Sequence, residues 1–250
     1  MRPSVQKWLF ETLYKNRYLY RFASTVPFAG QWRVWQRLVL SRLHGHDVLE
    51  LGCGLGDLLA DMILAGYNCR AIEQSPEMVD AARSTLQERR LGEPTWIIQG
   101  QAQCLPFTDA SFDTVVSTFP SEYIYDANTL SEVERILSPG GRLIVIAGAN
   151  LLPVGPIQPL LLLIQMFVYG PLVLNRFWEQ ANRRDEAIGT GITTEVIPDA
   201  WRAKHIPLEQ HGLSRRYERV RSRYWEVYVV TGEKLDTSNP MERSNIIREG

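Results

Sequence analysis

Apolar and polar positions follow two different patterns along the chain. Residues 3–22 and 31–43 have apolar positions three or four apart, which predicts two helices separated by the breaker 26–30. From residue 46 to residue 147, short apolar runs alternate with helical segments, as in consecutive strand-helix-strand units. The apolar runs lack strict polar alternation, which is the pattern of strands buried on both faces of a parallel sheet.

The alternating region and the residues after it predict a definite series of elements. Strands are expected at 46–51, 68–73, 95–99, 111–118 and 141–147, with helices at 57–65, 76–90 and 127–137. Residues 198–210 predict a further helix that stops at Gly212, and 215–221 and 224–231 predict an antiparallel hairpin. The expected fold class is α/β: a doubly wound, mostly parallel, seven-stranded Rossmann-like sheet with an antiparallel C-terminal hairpin and an N-terminal helical cap.

Composition and charge exclude some classes of function. The 250 residues are 45% hydrophobic and 22% charged, which is ordinary for a globular protein, and the net charge of −1 gives no overall attraction to nucleic acid. We therefore expect no nucleic-acid partner. Cys53, Cys69 and Cys104 form neither CxxC pairs nor Cys/His clusters, so we expect no metal site and free thiols of a reducing compartment. The N-terminus lacks a signal-peptide pattern, which favours the cytoplasm.

The most informative motif is the run VLELGCGLGD at 48–57, where an apolar strand leads into three alternating glycines and then a helix. Glycine lets the backbone turn tightly and approach a ligand, and a helix start presents unpaired N–H groups. Such a loop suits either a dinucleotide or S-adenosylmethionine. Dinucleotide loops typically read G-x-G-x-x-G. Here the spacing is G-x-G-x-G with Glu50 two residues ahead, which fits a cationic amino-acid tail better than a diphosphate.

Four blocks in the same order resemble the class I S-adenosylmethionine-dependent methyltransferases. They are VLELGCGLG at 48–56, AIEQSPEMVDAAR at 71–83, LPFTDASFDTVVS at 105–117 and LSEVERILSPGGRLIVI at 130–146, which together with their spacing cover about half of the chain. The resemblance implies an enzyme of small-molecule type that uses S-adenosylmethionine and releases S-adenosylhomocysteine.

The resemblance also implies which residues hold the cofactor. The glycine loop would approach the methionine and ribose, Glu50 would hold the methionine amino group, and Glu73, at the end of the second strand, would accept hydrogen bonds from the ribose diol. At the third strand the family often has an Asp that contacts the adenine, and this chain has Gln101 instead. The full set of expected cofactor contacts is Glu50, Gly52, Cys53, Gly54, Gly56, Glu73, Gln74, Gln101, Ala102 and Ser117.

The residues after the fourth strand are the place to look for catalysis, since ligands of open α/β folds bind at the carboxyl ends of the strands. The stretch STFPSEY at 117–123 departs from the Asn-Pro-Pro-Tyr type tetrad of enzymes that methylate amide or exocyclic nitrogens, which argues against DNA bases. Glu122 and Tyr123 are weak candidates to orient or deprotonate the acceptor, and either could instead cap a helix or pack. Positioning alone can supply much of the acceleration, so the catalytic residue stays unassigned.

A charge-free segment at 151–175 bears on the nature of the acceptor. Four prolines interrupt it, so its longest proline-free run is too short for a membrane-spanning helix. It admits three interpretations: a lid over the acceptor, a core helix, or a segment dipping into a membrane interface. The basic and aromatic N-terminus has the composition of a membrane interface. These features favour a small hydrophobic acceptor that is quinone-, polyprenyl- or lipid-like, with peripheral contact to the inner face of the membrane through 151–174 and the N-terminal helices as an open alternative.

These observations predict a single methyltransferase domain over 1–235. Within it, residues 1–45 form the helical cap, 46–148 the cofactor-binding core, 149–192 the apolar insert or lid and 193–235 the C-terminal helix and hairpin, and 236–250 form a flexible tail. Two other functions stay open. One is a non-catalytic, cofactor-binding, membrane-associated partner protein, and the other is an NAD-dependent oxidoreductase, for which the chain lacks a Tyr-x-x-x-Lys pair.

Overall fold

The computed structural model describes residues 21–22, 25–28, 30–91, 96–151, 163, 192–196 and 206–235. The helices are α1 (Trp32–Gln36), α2 (Asp57–Leu64), α3 (Pro76–Glu88) and α4 (Ala127–Ile136), with short 3₁₀ turns at Arg37–Val39, Glu122–Tyr125 and Glu209–His211. The strands are β1 (Asp47–Leu51), β2 (Asn68–Glu73), β3 (Ile97–Gln99), β4 (Phe112–Thr118), β5 (Leu137–Leu151), β6 (Thr193–Val196), β7 (Leu213–Ser222) and β8 (Trp225–Lys234).

All eight strands form one sheet in the order β3-β2-β1-β4-β5-β8-β7-β6. The first five strands are parallel, and β8, β7 and β6 continue the sheet in antiparallel fashion. The predicted fold class is confirmed, but the sheet has eight strands instead of seven. The additional strand is Thr193–Val196, which pairs with β7 along Glu218 to Arg221.

The strand order places a topological switch point between β1 and β4, because the chain runs from β1 towards β3 on one side and from β4 towards β5 on the other. Ligands of open α/β sheets bind in the crevice at the carboxyl ends of the strands beside such a point. Glu50 lies in this central position, since its Cα pairs with Ala71 of β2 on one side and Val116 of β4 on the other.

Apolar side chains cover both faces of the sheet, as the continuous hydrophobic strands predict. One face buries Val48, Val116 and Ile146 against α2, α3 and the N-terminal segment. The opposite face buries Leu49, Leu51 and Val145 against α4 and the residues before β7. The two clusters hold β1 and β4 rigidly, so the loops that follow these strands start from fixed positions.

The N-terminal segment packs on the first of these faces. Trp35 and Val39 are fully buried in the same cluster as Val48 and Ile146. The predicted helix at 31–43 is shorter than expected, because an α-helix over Trp32–Gln36 passes into a 3₁₀ turn over Arg37–Val39. The predicted first helix at 3–22 lies outside the described residues except for its last two.

The predicted helix at 198–210 is wrong over the part that the structure describes. Residues 206–208 are not helical, and only a 3₁₀ turn forms at Glu209–His211. Ile206 and Leu208 are both buried in the cluster beneath α4, and the N–H of Leu208 donates to the carbonyl of Ile206 at 2.8 Å, a bond between residues two apart that an α-helix does not make. Residues 197–205 lie outside the described ranges. Among the helices that the structure describes, none is long and apolar enough to cross a membrane.

Candidate functional site

Glu73 connects the loops that follow the first three strands. One oxygen of its carboxylate accepts the N–H of Gly54 at 3.0 Å, and the other accepts the N–H of Ser75 at 3.0 Å. Its backbone carbonyl accepts the N–H of Gly100 at 3.0 Å. The side chain is 8% exposed at the end of β2. A carboxylate has about four acceptor positions, so two remain for the hydroxyl groups of a ligand.

The glycines of the loop are required by the backbone and by the packing. Gly52, Gly54 and Gly56 have φ of 72°, 53° and 74°, in the left-handed region that side chains with a Cβ disfavour. A Cβ at Gly56 would lie 2.9 Å from Cβ of Ala82, so α3 packs directly on the loop. A Cβ at Gly52 would lie 3.0 Å from the hydroxyl of Tyr123, and Gly52 itself is exposed, leaving its backbone accessible to a ligand.

Glu50 has the least usual environment among the described residues of the site. It is 1% exposed, and its Oε2 is buried without a hydrogen-bond partner among the described residues. Burial raises the pKa of this carboxyl well above its ordinary value, while the nearby Arg33 lowers it. A buried carboxylate oxygen without a donor is costly unless a ligand supplies one. The observation fits a cationic group bound next to the glycine loop.

The other predicted contacts lie around the same edge. The backbone carbonyl of Cys53 accepts the N–H of Gly56 at 2.9 Å, and burial raises the pKa of the Cys53 thiol well above its ordinary value. Gln74 is exposed directly after Glu73. Gln101 is exposed and Ala102 is buried in the loop after β3, whose first residue, Gly100, is bonded to Glu73.

Ser117 and Tyr123 lie against the strand that carries the glycine loop. The hydroxyls of Ser117 and Tyr123 are 2.7 Å apart, and the Tyr123 hydroxyl donates to the carbonyl of Leu51 at 3.1 Å. Ser117 is fully buried, whereas Tyr123 is half-buried. These contacts hold the residues after β4 against the start of the loop. Glu122 is exposed on the short 3₁₀ turn beside Tyr123, so the structure brings only Tyr123 to the loop.

Four arginines surround two carboxylates on the helix that starts at the loop, a cluster that the sequence patterns did not predict. Asp57 and Asp61 of α2 form ion pairs with Arg21, Arg33, Arg37 and Arg89. Arg33 also donates to the carbonyl of Asp57 at 3.1 Å. The available signal was a pair of aspartates at positions i and i+4 directly after the glycines, which lie on one face of a helix.

Several predictions lie mostly outside the described residues. The apolar segment is described only at Leu151, which ends β5, and at the exposed Leu163. Its interpretation as a lid, a core helix or a membrane contact therefore stays a prediction. The same holds for the flexible tail at 236–250.

The chain is similar to known methyltransferases in sequence. Residues 49–145 match the family described as a methyltransferase domain, which includes the four sequence blocks apart from Val48 and Ile146. The chain is 29% identical over 160 residues to a demethylmenaquinone methyltransferase of Lactiplantibacillus plantarum, covering 61% of this chain and 64% of that one. It is 31% identical over 135 residues to the ubiquinone/menaquinone biosynthesis C-methyltransferase of Hahella chejuensis, covering 51% and 53%. These matches thus span less than two thirds of the relatives' own lengths.

The fold is also similar to that of solved structures. A protein of Methanococcus maripaludis assigned as an S-adenosyl-L-methionine-dependent methyltransferase superposes with a TM-score of 0.56 at 18% identity, covering 90% of this chain and 94% of that one. A protein of Pyrococcus horikoshii superposes with a TM-score of 0.50 at 18% identity, covering 85% and 98%. At these identities the likeness concerns the fold alone.

Proposed function

The chain carries a class I S-adenosylmethionine-dependent methyltransferase domain, and from this premise we propose that it transfers a methyl group to a small, apolar, quinone-like acceptor. The observation that carries the cofactor part is the buried carboxylate of Glu50, whose Oε2 has no hydrogen-bond partner among the described residues, directly ahead of the glycine loop. The names of the relatives, demethylmenaquinone methyltransferase among them, support the acceptor class.

The residues present fit the cofactor, which supplies a methyl group activated on a sulfonium. Glu50 would bind the ammonium of the methionine end, and the two unused acceptor positions on Glu73 would bind the ribose hydroxyls. The backbone at Gly52 is exposed, so the cofactor can approach it closely while it binds both carboxylates. Gln74, Gln101 and the backbone of Ala102 would border the adenine at the ends of β2 and β3.

Arg33 adds a charge of the opposite sign beside Glu50. The methionine end of the cofactor is a zwitterion, so it needs a cation for its carboxylate as well as an anion for its ammonium. In the cluster around Asp57 and Asp61, four arginines pair with these two carboxylates. Arg37 and Arg89 also contact Asp61, so Asp61 keeps cationic partners if Arg33 turns towards a ligand.

The acceptor would meet the methyl group at the end of β4. Ser117 and Tyr123 hold this end against the carbonyl of Leu51, and the glycine loop starts at the next residue. Catalysis then comes mainly from holding the acceptor in line with the reactive methyl group. Because its hydroxyl donates to Leu51, Tyr123 acts as a positioning residue in this account. Glu122 is not required.

Isothermal titration with S-adenosylhomocysteine tests the cofactor part, with NAD as the competing ligand. We expect S-adenosylhomocysteine to bind and NAD to leave its affinity unchanged. Absence of S-adenosylhomocysteine binding would overturn the assignment, and tight NAD binding would support the oxidoreductase instead. Binding without methyl transfer to any quinol would favour a non-catalytic, cofactor-binding partner protein.

A further inference from the structure

Phe119, the first residue after β4, has an unusual backbone. Its φ is 51°, in the left-handed region, which a bulky side chain rarely adopts. Its N–H is nevertheless bonded to the carbonyl of Ile146 on β5 at 2.8 Å, so the conformation is fixed by the sheet. Strain of this kind persists where the surroundings impose it, and it concentrates at functional sites.

The ring of Phe119 belongs to an aromatic cluster built with the N-terminal segment. Trp32 stacks on Phe119 with ring centres 4.1 Å apart and planes at 29°, and Trp35 lies 6.2 Å from Phe119. Phe28 lies 5.3 Å from Trp32 and 5.4 Å from Trp35. Trp35 is fully buried, whereas Trp32, Phe28 and Phe119 keep part of their surface exposed. The cluster therefore has a buried base and an accessible aromatic side.

The position of the cluster links it to the proposed reaction site. Phe119 is two residues after Ser117, whose hydroxyl contacts Tyr123 beside the glycine loop. The amide of Gln36 donates to the hydroxyl of Thr118 at 3.2 Å and ties α1 to the same strand end. Flat aromatic surface therefore borders the carboxyl end of β4, the edge at which ligands of this sheet class bind.

We propose that Trp32 and Phe119 form an aromatic surface that selects acceptors with a planar, conjugated head group. The inference rests on the proposed function and deepens it by naming the residues that would bind the ring of the acceptor. An aromatic pair contributes about 0.5–1.5 kcal/mol beyond its buried area, so the loss of one ring should raise KM about threefold to tenfold. Glycine is the residue that most readily adopts a left-handed φ, but it has no side chain. Phe119 adopts this φ and places an aromatic ring against Trp32.

Two binding measurements test the proposal in the whole protein. Quinones quench indole fluorescence, so titration with an oxidised naphthoquinone reports ring binding without requiring methyl transfer. We expect Phe119→Leu and Trp32→Leu to weaken this binding about threefold to tenfold, and Phe119→Tyr and Trp32→Phe to restore most of it. Val34→Ala is the matched control, because Val34 is an exposed residue on the same helix.

Titration with S-adenosylhomocysteine separates this proposal from the proposed function. Unchanged S-adenosylhomocysteine affinity together with weaker quinone binding, and a raised KM at unchanged kcat for a reduced quinol, would support the aromatic surface. If Phe119→Leu and Trp32→Leu lowered the thermal midpoint but left quinone binding and KM unchanged, the aromatic cluster would serve only to pack the fold. That result would overturn the proposal. Failure of the wild-type protein to bind any planar quinone would overturn it as well, whereas loss of S-adenosylhomocysteine binding by the wild type would count against the cofactor assignment.

Discussion

The carboxylate of Glu73 accepts the backbone N–H of Gly54 at 3.0 Å, which joins the end of β2 to the glycine loop that follows β1. The same residue bonds to Ser75 through its side chain and to Gly100 through its carbonyl. A single side chain thus organises three loops at the carboxyl edge of the sheet and keeps acceptor positions for a ligand.

Replacing Glu73 should damage binding of the whole nucleoside part of the cofactor. Hydrogen bonds to a charged group contribute about 1.5–3 kcal/mol, so Glu73→Ala should weaken S-adenosylhomocysteine and adenosine about tenfold to hundredfold. Isothermal titration measures both affinities. Glu209→Gln is the control, since Glu209 lies on the 3₁₀ turn before β7 and pairs with Arg215. Unchanged adenosine binding in Glu73→Ala would contradict the assignment of Glu73 to the ribose.

Glu50 should make cofactor affinity depend on pH. Burial raises the pKa of its carboxyl well above the ordinary value, and binding of an ammonium requires the ionised form. Below the raised pKa, S-adenosylhomocysteine affinity should therefore increase with pH by at most about tenfold per unit. Glu50→Gln should flatten this dependence, and adenosine, which lacks the amino-acid end, should show none in either protein. Equal slopes for wild type and Glu50→Gln would exclude this role.

The same carboxyl affects the stability of the ligand-free protein. Since its pKa is raised in the folded state, its contribution is fully present at low pH and is lost as the pH rises through the folded-state value. Between the ordinary pKa of a glutamate and the raised pKa of the folded state, the thermal midpoint of Glu50→Gln should therefore depend less on pH than that of the wild type. Calorimetry in a pH series measures this difference.

Gly56 should be harder to replace than a glycine with open space around it. Its φ of 74° disfavours a side chain, and an added Cβ would lie 2.9 Å from Cβ and 3.0 Å from Cα of Ala82. Backbone strain and overpacking together predict that Gly56→Ala lowers the free energy of unfolding by about 2–4 kcal/mol in urea titrations. Gly66→Ala is the matched control, because Gly66 has φ of 93° with no atom within 4 Å of the added Cβ, and it should lose about 1 kcal/mol. Equal losses would show that contact with Ala82 is unimportant.

Tyr123→Phe distinguishes a positioning role from a catalytic one. The hydroxyl contacts Ser117 and donates to the carbonyl of Leu51, so its removal should loosen the start of the loop and weaken S-adenosylhomocysteine binding about threefold to tenfold. The pH profile of kcat should keep its shape. A general base would instead cost about a hundredfold or more in kcat and remove a titration from the profile. Tyr224→Phe, at the exposed turn of the hairpin, serves as the control.

Local patterns were enough to predict the core of the fold. Short runs of sequence specify the glycine loop and the parallel strands, and the structure has Glu50 on β1 and Glu73 at the end of β2. The binding of the cofactor by these residues stays a prediction. The arginine cluster and strand β6 were not predicted, because both depend on residues that are distant in the sequence. Arg33 reaches Asp61 across 28 positions, and the polar strand β6 forms because it pairs with β7, where Glu195 also meets Arg219.

The wrong prediction of a helix at 198–210 has a similar cause. Residues 198–210 carry helical propensity, yet Ile206 and Leu208 are both buried beneath α4 and the N–H of Leu208 bonds to the carbonyl of Ile206, so tertiary packing overrides the propensity there. Phe119 is a further example, because nothing in its sequence neighbourhood specifies a left-handed conformation. Its contact with Trp32 joins residues separated by 87 positions along the numbered chain.

Transfer of labelled methyl groups measures the proposed reaction itself. The protein would be incubated with methyl-labelled S-adenosylmethionine and a series of reduced quinones lacking the methyl group, demethylmenaquinol included, and the products analysed by mass spectrometry. We expect label in a quinol, formation of S-adenosylhomocysteine in equal amount, and loss of both in Glu73→Ala. A protein that binds S-adenosylhomocysteine but labels no quinol in this series would contradict the proposed function.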